Sequence, residues 1–195
     1  MDLPSWAPED ETKPAPMPLL LVQSFVNTWE GDSGADLLAD TTPARRWLAD
    51  AGLLGPQPGM SRDDLDFARA VRESIRALLV YNGGGPVPAA VELKSLSALA
   101  RASALEITTD EQGHLELQEV TGNRLRLGRL LVIMRDSQHD GTWERLKTCH
   151  NCECRWAFYD RSHAGRGTWC DMAVCGNRMK NRKLRSRKSG SGADA

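Results

Sequence analysis

All five cysteines of the chain lie within 27 residues, from Cys149 to Cys175. Cys170 and Cys175 form a C-x4-C pair. Cys149 forms the other pair, either with Cys152 as C-x2-C or with Cys154 as C-x4-C. Tetrahedral zinc takes four soft or borderline ligands, usually as two pairs from two turns, and one metal bridges either spacing. The cluster therefore predicts one Zn²⁺ per chain, with one cysteine to spare.

Disulfides and catalysis are the alternatives for these thiols. Disulfides need an oxidising compartment, and the sequence shows no secretory signal peptide, so we expect reduced cysteines in a cytoplasmic protein. Cys152 could act as a redox-sensitive thiol, because zinc and basic residues lower thiol pKa values. The sequence has no G-x-S-x-G, P-loop or H-E-x-x-H motif, so an enzyme is not expected. No apolar run reaches the roughly 18 residues of a membrane span, so no membrane partner is expected.

The net charge of −1 conceals an asymmetry along the chain. Residues 1–144 carry a net charge of −9, whereas residues 145–195 carry +8. Such a basic segment indicates a nucleic-acid partner, here the phosphates of double-stranded DNA. Its basic residues recur too densely for one helical stripe, so they surround a short helix or belong to an arm along a groove. They are Arg178, Lys180, Arg182, Lys183, Arg185, Arg187 and Lys188.

The loop between the two cysteine pairs supplies candidates for base recognition. Arg161, His163 and Arg166 lie in it, and Arg is the commonest reader of guanine. Two other partners remain open. A basic finger does not by itself choose DNA over RNA, and a zinc-braced protein-interaction module with a solvated basic tail fits the same pattern. The finger's aromatic residues either stack on bases or form its small core; they are Trp156, Phe158, Tyr159 and Trp169.

Composition and periodicity divide the chain into four parts. Residues 1–18 contain five prolines and are predicted to be a disordered leader. Residues 19–140 are predicted to form a helical domain, residues 141–188 a zinc module with a basic helix, and residues 189–195 a flexible tail. The expected fold is mainly α: a multihelical N-terminal domain with one β-hairpin, followed by a small C-terminal four-cysteine zinc finger and its basic helix.

Within the helical domain, local signals place the elements. Leu19 to Trp29 is predicted to be a helix, and Thr42-Pro43 opens a second. Ser61 and Asp64 form a capping box that opens a long helix with an apolar face. Further elements are a helix over residues 89–102 with Val91, Leu96 and Leu99 inward, a β-hairpin over residues 105–117, and a helix over residues 124–138.

Polar residues set within the apolar helices predict a small-molecule site. Asn27 and Thr28 follow Phe25, and Arg72 follows Val71 on the long helix. A buried Asn or Arg must find hydrogen-bond partners or cost free energy, so a cluster of them can mark a pocket for an effector. The alternative is a set of helix caps and a surface arginine.

The cysteine region also resembles a known family. The run CGNR at residues 175–178, and the run CRWAFYDRS at residues 154–162, resemble the CGNR zinc finger. The likeness begins near Arg145. In that family the first pair is C-x4-C, which leaves Cys152 as a non-ligand. The resemblance thus implies that the zinc ligands are Cys149, Cys154, Cys170 and Cys175.

The preceding domain resembles the ABATE domain that commonly precedes this finger. The likeness is carried by FVNT at residues 25–28, DLL at residues 36–38 and WLADAGLL at residues 47–54, within a stretch from Leu20 to Gln138. Such proteins are regarded as bacterial transcription regulators linked to stress. The resemblance implies a DNA-binding regulator whose N-terminal domain senses a ligand or mediates assembly, for instance as a homodimer.

Overall fold

The computed structural model describes residues 3–9, 11–55, 59–120 and 124–190, without the side chains of residues 183 and 186–190. The fold is mainly helical, as the sequence predicted, and it contains two small antiparallel hairpins where the sequence predicted one. None of the helices in these ranges is both long and apolar enough to cross a bilayer. The elements are α1 Leu20–Val26, α2 Thr41–Asp50, α3 Arg62–Asn82, α4 Lys94–Ala102, β1 Leu105–Thr109, β2 Leu115–Glu119, α5 Gly128–Asp140, β3 Leu146–Thr148, β4 Ala157–Tyr159 and α6 Asn177–Gly190.

The long helix α3 is the central element of the fold. Its predicted capping box is present: the Ser61 hydroxyl accepts from the Asp64 amide, and the Asp64 carboxylate accepts from the Ser61 amide at 2.7 Å. The predicted apolar face is buried against the other helices. Its fully or almost fully buried members are Leu65, Ala68, Val71, Ile75 and Leu79.

Two helices begin later than the sequence predicted. Helix α4 begins at Lys94, and Val91, predicted to point inward, is 76% exposed, because Ala89 to Glu92 closes a turn instead. Helix α5 begins at Gly128 because the Arg126 amide donates to the Leu53 carbonyl at 2.9 Å, which keeps that segment extended. The β1–β2 hairpin forms in the predicted place, with Leu105 opposite Glu119.

The described residues of the N-terminal segment, 3–9 and 11–18, pack against the rest of the protein, which differs from the disorder predicted for residues 1–18. Ala7 and Ala15 are buried in the main core. The Lys13 carbonyl accepts from the Tyr159 amide at 2.9 Å, and the Trp6 carbonyl accepts from the Trp47 indole at 2.8 Å. Prolines restrict the unfolded chain, so ordering this segment costs less conformational entropy than its irregular backbone suggests. Residues 191–195 of the predicted tail lie outside the described ranges.

The second hairpin, β3–β4, joins the cysteine region to the helical domain. Leu146, Ala157 and Tyr159 belong to the same buried core as the apolar faces of the helices. The Asn82 side chain, at the end of α3, donates to the Leu146 carbonyl at 3.0 Å. A side chain at Gly31 would overlap the carbonyls of Glu153 and Cys154, so glycine permits this close approach. The two segments that the sequence separates thus share one core.

Candidate metal centre and nucleic-acid interface

Four cysteine sulfurs converge at the end of the β3–β4 hairpin. The Sγ atoms of Cys149, Cys154, Cys170 and Cys175 all lie within 4.8 Å of one another. The Sγ of Cys170 is 3.6 Å from that of Cys154 and 3.7 Å from that of Cys175. A zinc tetrahedron with Zn–S bonds of about 2.3 Å has edges of about 3.8 Å, so the cluster fits zinc. Cys152 is exposed and outside the cluster.

The first two ligands sit on one tight turn. The Asn151 carbonyl accepts from the amides of Cys154 and Arg155, both at 3.0 Å, and the Asn151 amide group donates toward the Cys175 sulfur at 3.8 Å. Asn151 is fully buried. Arg155 closes the turn with a φ of 52°, a left-handed conformation that non-glycine residues seldom adopt. The hydrogen bonds of Asn151 therefore hold this turn, and with it Cys149 and Cys154, in position.

The other two ligands sit at the entry to α6. The Asp171 carboxylate accepts from the Val174 amide at 2.8 Å, and its carbonyl accepts from the Gly176 amide at 3.1 Å. A side chain at Gly176 would overlap the Met172 sulfur and press on the Trp169 ring, so glycine permits their close packing here. Cys175 precedes α6 by one residue, so the metal holds the base of this helix.

The thiols also influence one another's ionisation. Without a metal, hydrogen bonds from Cys154 and then Cys170 favour the Cys149 thiolate and lower its pKa. The same contacts raise the pKa of Cys154 and of Cys170, because a second or third thiolate beside the first is disfavoured. Four thiolates thus coexist only beside a cation, which Zn²⁺ supplies. The cluster is the site of one zinc per chain.

A buried ion pair stabilises the loop that runs from the end of β4 to Cys170. The Lys147 ammonium lies 2.9 Å from the Asp160 carboxylate, which also accepts from the Gly167 amide at 2.7 Å and the Ser162 amide at 3.0 Å. Burial raises the pKa of Asp160, but the hydrogen bonds from Ser162 and Lys147 outweigh it and lower the pKa. Asp160 therefore stays ionised and holds both ends of the loop.

This loop displays the predicted base-reading residues. Arg161, His163 and Arg166 are all exposed on it. The Arg161 guanidinium donates to the Pro14 carbonyl at 2.7 Å, so it also contacts the N-terminal segment. The structure thus brings the three residues to one exposed loop beside the metal.

The predicted DNA-binding residues of α6 differ from one another in their surroundings. Arg178 donates to Asp32 at 3.0 Å, and Arg182 donates to Glu153 at 2.6 Å. These bonds raise the pKa of both guanidinium groups. Lys180 and Arg185 are exposed. The remaining predicted residues belong to the helix, but their side chains are not described; they are Lys183, Arg187 and Lys188.

Two of the predicted ligand-binding residues line a cavity, and their polar atoms find partners in the chain. Asn27 exchanges two hydrogen bonds with the Ala157 backbone, at 2.7 and 2.9 Å. Thr28 accepts from Arg72 at 3.1 Å, and Arg72 forks onto the Asp36 carboxylate at 2.6 and 3.0 Å. A cavity of about 410 Å³ is lined by Asn27 and Thr28, whereas Arg72 lies outside its wall.

Sequence reasoning missed the residue that ties the metal turn to the helices. Arg76 is 0% exposed and donates to the carbonyls of Val26 and Arg155, both at 2.8 Å. Its guanidinium also lies 4.9 Å from the centre of the Trp29 ring. Burial lowers its pKa to about 10, so it remains charged near neutral pH. In the sequence it is one of several arginines on α3, and no local pattern distinguishes it.

Exchange of the surplus cysteine is expected to leave the zinc in place. Cys152→Ser changes an exposed side chain outside the cluster, so the purified variant should retain one zinc per chain. Cys175→Ser removes a ligand and should lose it. Zinc is measured by atomic absorption after dialysis. Loss of zinc from Cys152→Ser would move the first pair to C-x2-C.

Comparisons with known proteins agree with this geometry. A family model described as "CGNR zinc finger" matches residues 145–188, and the ABATE model, described as "Putative stress-induced transcription regulator", matches residues 20–137. A search of curated proteins finds no match. Because the ABATE match covers more than half of the chain and the CGNR match contains all four clustered cysteines, the chain belongs to the ABATE family and carries a CGNR zinc finger.

Proposed function

We propose that the protein is a zinc-containing transcription regulator that binds double-stranded DNA through its finger and basic helix. The observation that carries this proposal is the continuity between metal centre and helix: Cys175 is a zinc ligand, and α6 begins at Asn177. Residues 145–195 carry a net charge of +8. Helix α6 itself contains seven Lys or Arg and no Asp or Glu, and a short helix of this kind suits the phosphate backbone, whose neutralisation releases counterions. The metal anchors the base of the helix and leaves its length for the duplex.

Helical spacing divides the basic residues of α6 between two faces. One face is turned to the protein, where Arg178 pairs with Asp32 and Arg182 with Glu153. Because an α-helix turns by about 100° per residue, a second set of basic positions lies on the opposite face. That set, which we assign to DNA phosphates, comprises positions 180, 183 and 187.

Base recognition is assigned to the loop beside the metal. Arg161, His163 and Arg166 are exposed there, and the buried Asp160–Lys147 pair fixes the loop that carries them. Guanidinium groups on a fixed loop can read guanine edges in the major groove. Phosphate contacts by α6 would then set affinity, whereas this loop would set sequence preference.

Burial of the finger's aromatic residues favours a duplex over a single strand. Single-stranded RNA is held largely by bases that stack on exposed aromatic rings. Phe158 is fully buried and Tyr159 is buried. Trp156 and Trp169 are half-buried against the cysteine cluster. These rings serve mainly as the core of the zinc module.

We propose further that the helical domain senses a small ligand. The cavity of about 410 Å³ beside Asn27 and Thr28 has the size of a small-molecule site. Asn27 also bonds the Ala157 backbone in β4, so a ligand in this cavity would act on the zinc module through one residue. Arg72 supports Thr28 from outside the cavity.

The second candidate is a zinc-braced protein-interaction module. It is favoured by the ion pairs of Arg178 and Arg182 with acidic residues of the same chain, because these two basic residues are then less available to DNA. If α6 only braces the fold, its outward positions are a solvated surface and duplex affinity will be weak.

Salt-dependent binding to duplex DNA separates the two candidates. With roughly five phosphates engaged, log K should fall with log salt at a slope of about −4 to −5. Binding is measured by fluorescence anisotropy from low to physiological salt, beside single-stranded RNA of the same length. Exchanging Lys180, Lys183 and Arg187 for Gln should flatten the slope by about 2.7, because each phosphate contact contributes about 0.9.

A matched variant controls for the loss of charge. In this control, Gln replaces Arg178, Arg182 and Arg185. It also removes three positive charges, but from the protein-facing side of α6, so the salt slope should change less. Equal slopes for both variants would contradict the face assignment. A parent protein without a salt-dependent duplex affinity would leave the interaction module as the better interpretation.

A further inference from the structure

We propose that the cavity beneath the N-terminal segment binds a small organic cation that also carries a hydroxyl group, such as an amino alcohol. The cavity has a volume of about 410 Å³ and lies between residues 5–9, the end of α1 and residues 30–37. Ligand sites of this size enclose compact molecules. This inference deepens the sensing role proposed above and rests on it.

Three tryptophans line the cavity: Trp6, Trp47 and Trp156. The indole N–H of Trp47 already donates to the Trp6 carbonyl at 2.8 Å, and that of Trp156 donates to the Glu11 carboxylate at 3.0 Å. With these donors engaged, both rings can offer a ligand only their carbon surfaces. Aromatic walls of this kind attract ammonium groups through the ring quadrupole.

The charges of the lining favour the same class of ligand. Glu9 and Glu30 contribute carboxylates, and the lining residues include no Lys, Arg or His. Both glutamates are exposed, so they stand toward solvent while the tryptophans lie deeper. A negative rim attracts a cation and repels an anion, which favours cations over phosphates and carboxylates as ligands.

A buried hydroxyl supplies an independent sign of a ligand. Ser24 lines the cavity and is 2% exposed, yet its Oγ has no hydrogen-bond partner among the described residues. Buried polar groups are nearly always paired, since leaving one unpaired costs free energy. The Ser24 Oγ is closed to solvent as it stands, so a rotation of this side chain would let a ligand hydroxyl pair with it while the ammonium group contacts the aromatic wall.

The cavity adjoins the metal centre. The Trp156 carbonyl accepts from the amide of Cys149, a zinc ligand, at 2.8 Å. A neighbouring cavity of about 310 Å³ is lined by three of the cysteine ligands and shares Glu30 and Trp156 with the first. A cation bound against Trp156 would therefore contact a residue of the finger that is hydrogen-bonded to a zinc ligand.

Choline and its uncharged isostere 3,3-dimethylbutan-1-ol test the proposal. Both are titrated by calorimetry into the full zinc-loaded chain, without DNA, up to about 10 mM, where even affinities near the millimolar range are measurable. Choline should bind at least about tenfold more tightly than the isostere, because only choline gains the cation–π term. Equal affinities, or no binding of choline, would overturn the proposal.

Two variants locate the site, and zinc content confirms that each is folded. Glu30→Gln removes a rim carboxylate and should weaken choline about fivefold, whereas Glu116→Gln on the exposed β2 strand should change nothing. Ser24→Ala should weaken both probes alike, because both carry the hydroxyl. Choline affinity that is insensitive to Glu30 and Ser24 would place the binding elsewhere. Because no DNA is present, a negative result counts against this cavity alone, and a failed DNA titration counts against the DNA-binding proposal alone.

Discussion

Loss of zinc is expected to lower the melting temperature of the whole chain, including the helical domain. Structural zinc contributes about 10–16 kcal/mol of apparent binding free energy, and that energy is folding energy for the two cysteine turns. When these turns unfold together with the adjoining strand β4, three buried side chains of the helical domain lose partners: Gln23, Asn27 and Arg76. Each unpaired buried group costs about 1–3 kcal/mol.

The measurement is a thermal melt followed by far-ultraviolet circular dichroism at 222 nm, which reports chiefly on the helices. Cys170→Ser should melt at least about 10 °C below the parent protein, given about 2–4 °C per kcal/mol for a chain of this size. Cys152→Ser is the matched control, since it also removes one thiol but leaves the cluster intact. If the helices of Cys170→Ser melted at the same temperature as those of the parent protein, the helical domain and the zinc module would be independent folding units. The domain division predicted from the sequence would then describe the protein better.

The parts of the fold that the sequence predicts well are those with local causes. The capping box of Ser61 and Asp64 needs only four consecutive residues, and the apolar face of α3 needs only helical spacing. The β1–β2 hairpin follows from alternation on both sides of a turn at Gly113. The zinc ligands follow from spacing, and the family resemblance resolves the pair that spacing leaves open.

The parts of the fold that the sequence does not predict depend on contacts between residues that are far apart in the chain. The proline-rich segment lacks any helical or strand pattern, and its order comes from Tyr159 and Trp47, which lie elsewhere in the sequence. Asn27 was recognised as an unusual polar residue, but its partner is the Ala157 backbone, 130 residues away. Docking of the zinc module onto the helices uses buried polar bonds, which leave no periodic signature in sequence.

Among the side chains that join the helices to the zinc module, Arg76 is expected to contribute most to the free energy of unfolding. Arg76→Met keeps an apolar side chain of similar length but removes the donors to the carbonyls of Val26 and Arg155. Each buried carbonyl left without its donor costs about 1–3 kcal/mol, so a loss of about 3 kcal/mol in the free energy of unfolding is expected. Urea denaturation near neutral pH, where Arg76 is charged, measures it.

Arg69→Met on the same helix is the matched control. Its guanidinium is 34% exposed and pairs with the more exposed Asp66, so its removal should cost about 0–1 kcal/mol. Arg76 also supports the strained turn at Arg155, directly after the zinc ligand Cys154. Arg76→Met should therefore release zinc to a chelator faster than Arg69→Met does. Equal stability and equal zinc release in the two variants would mean that Arg76 does not connect the helices to the metal turn.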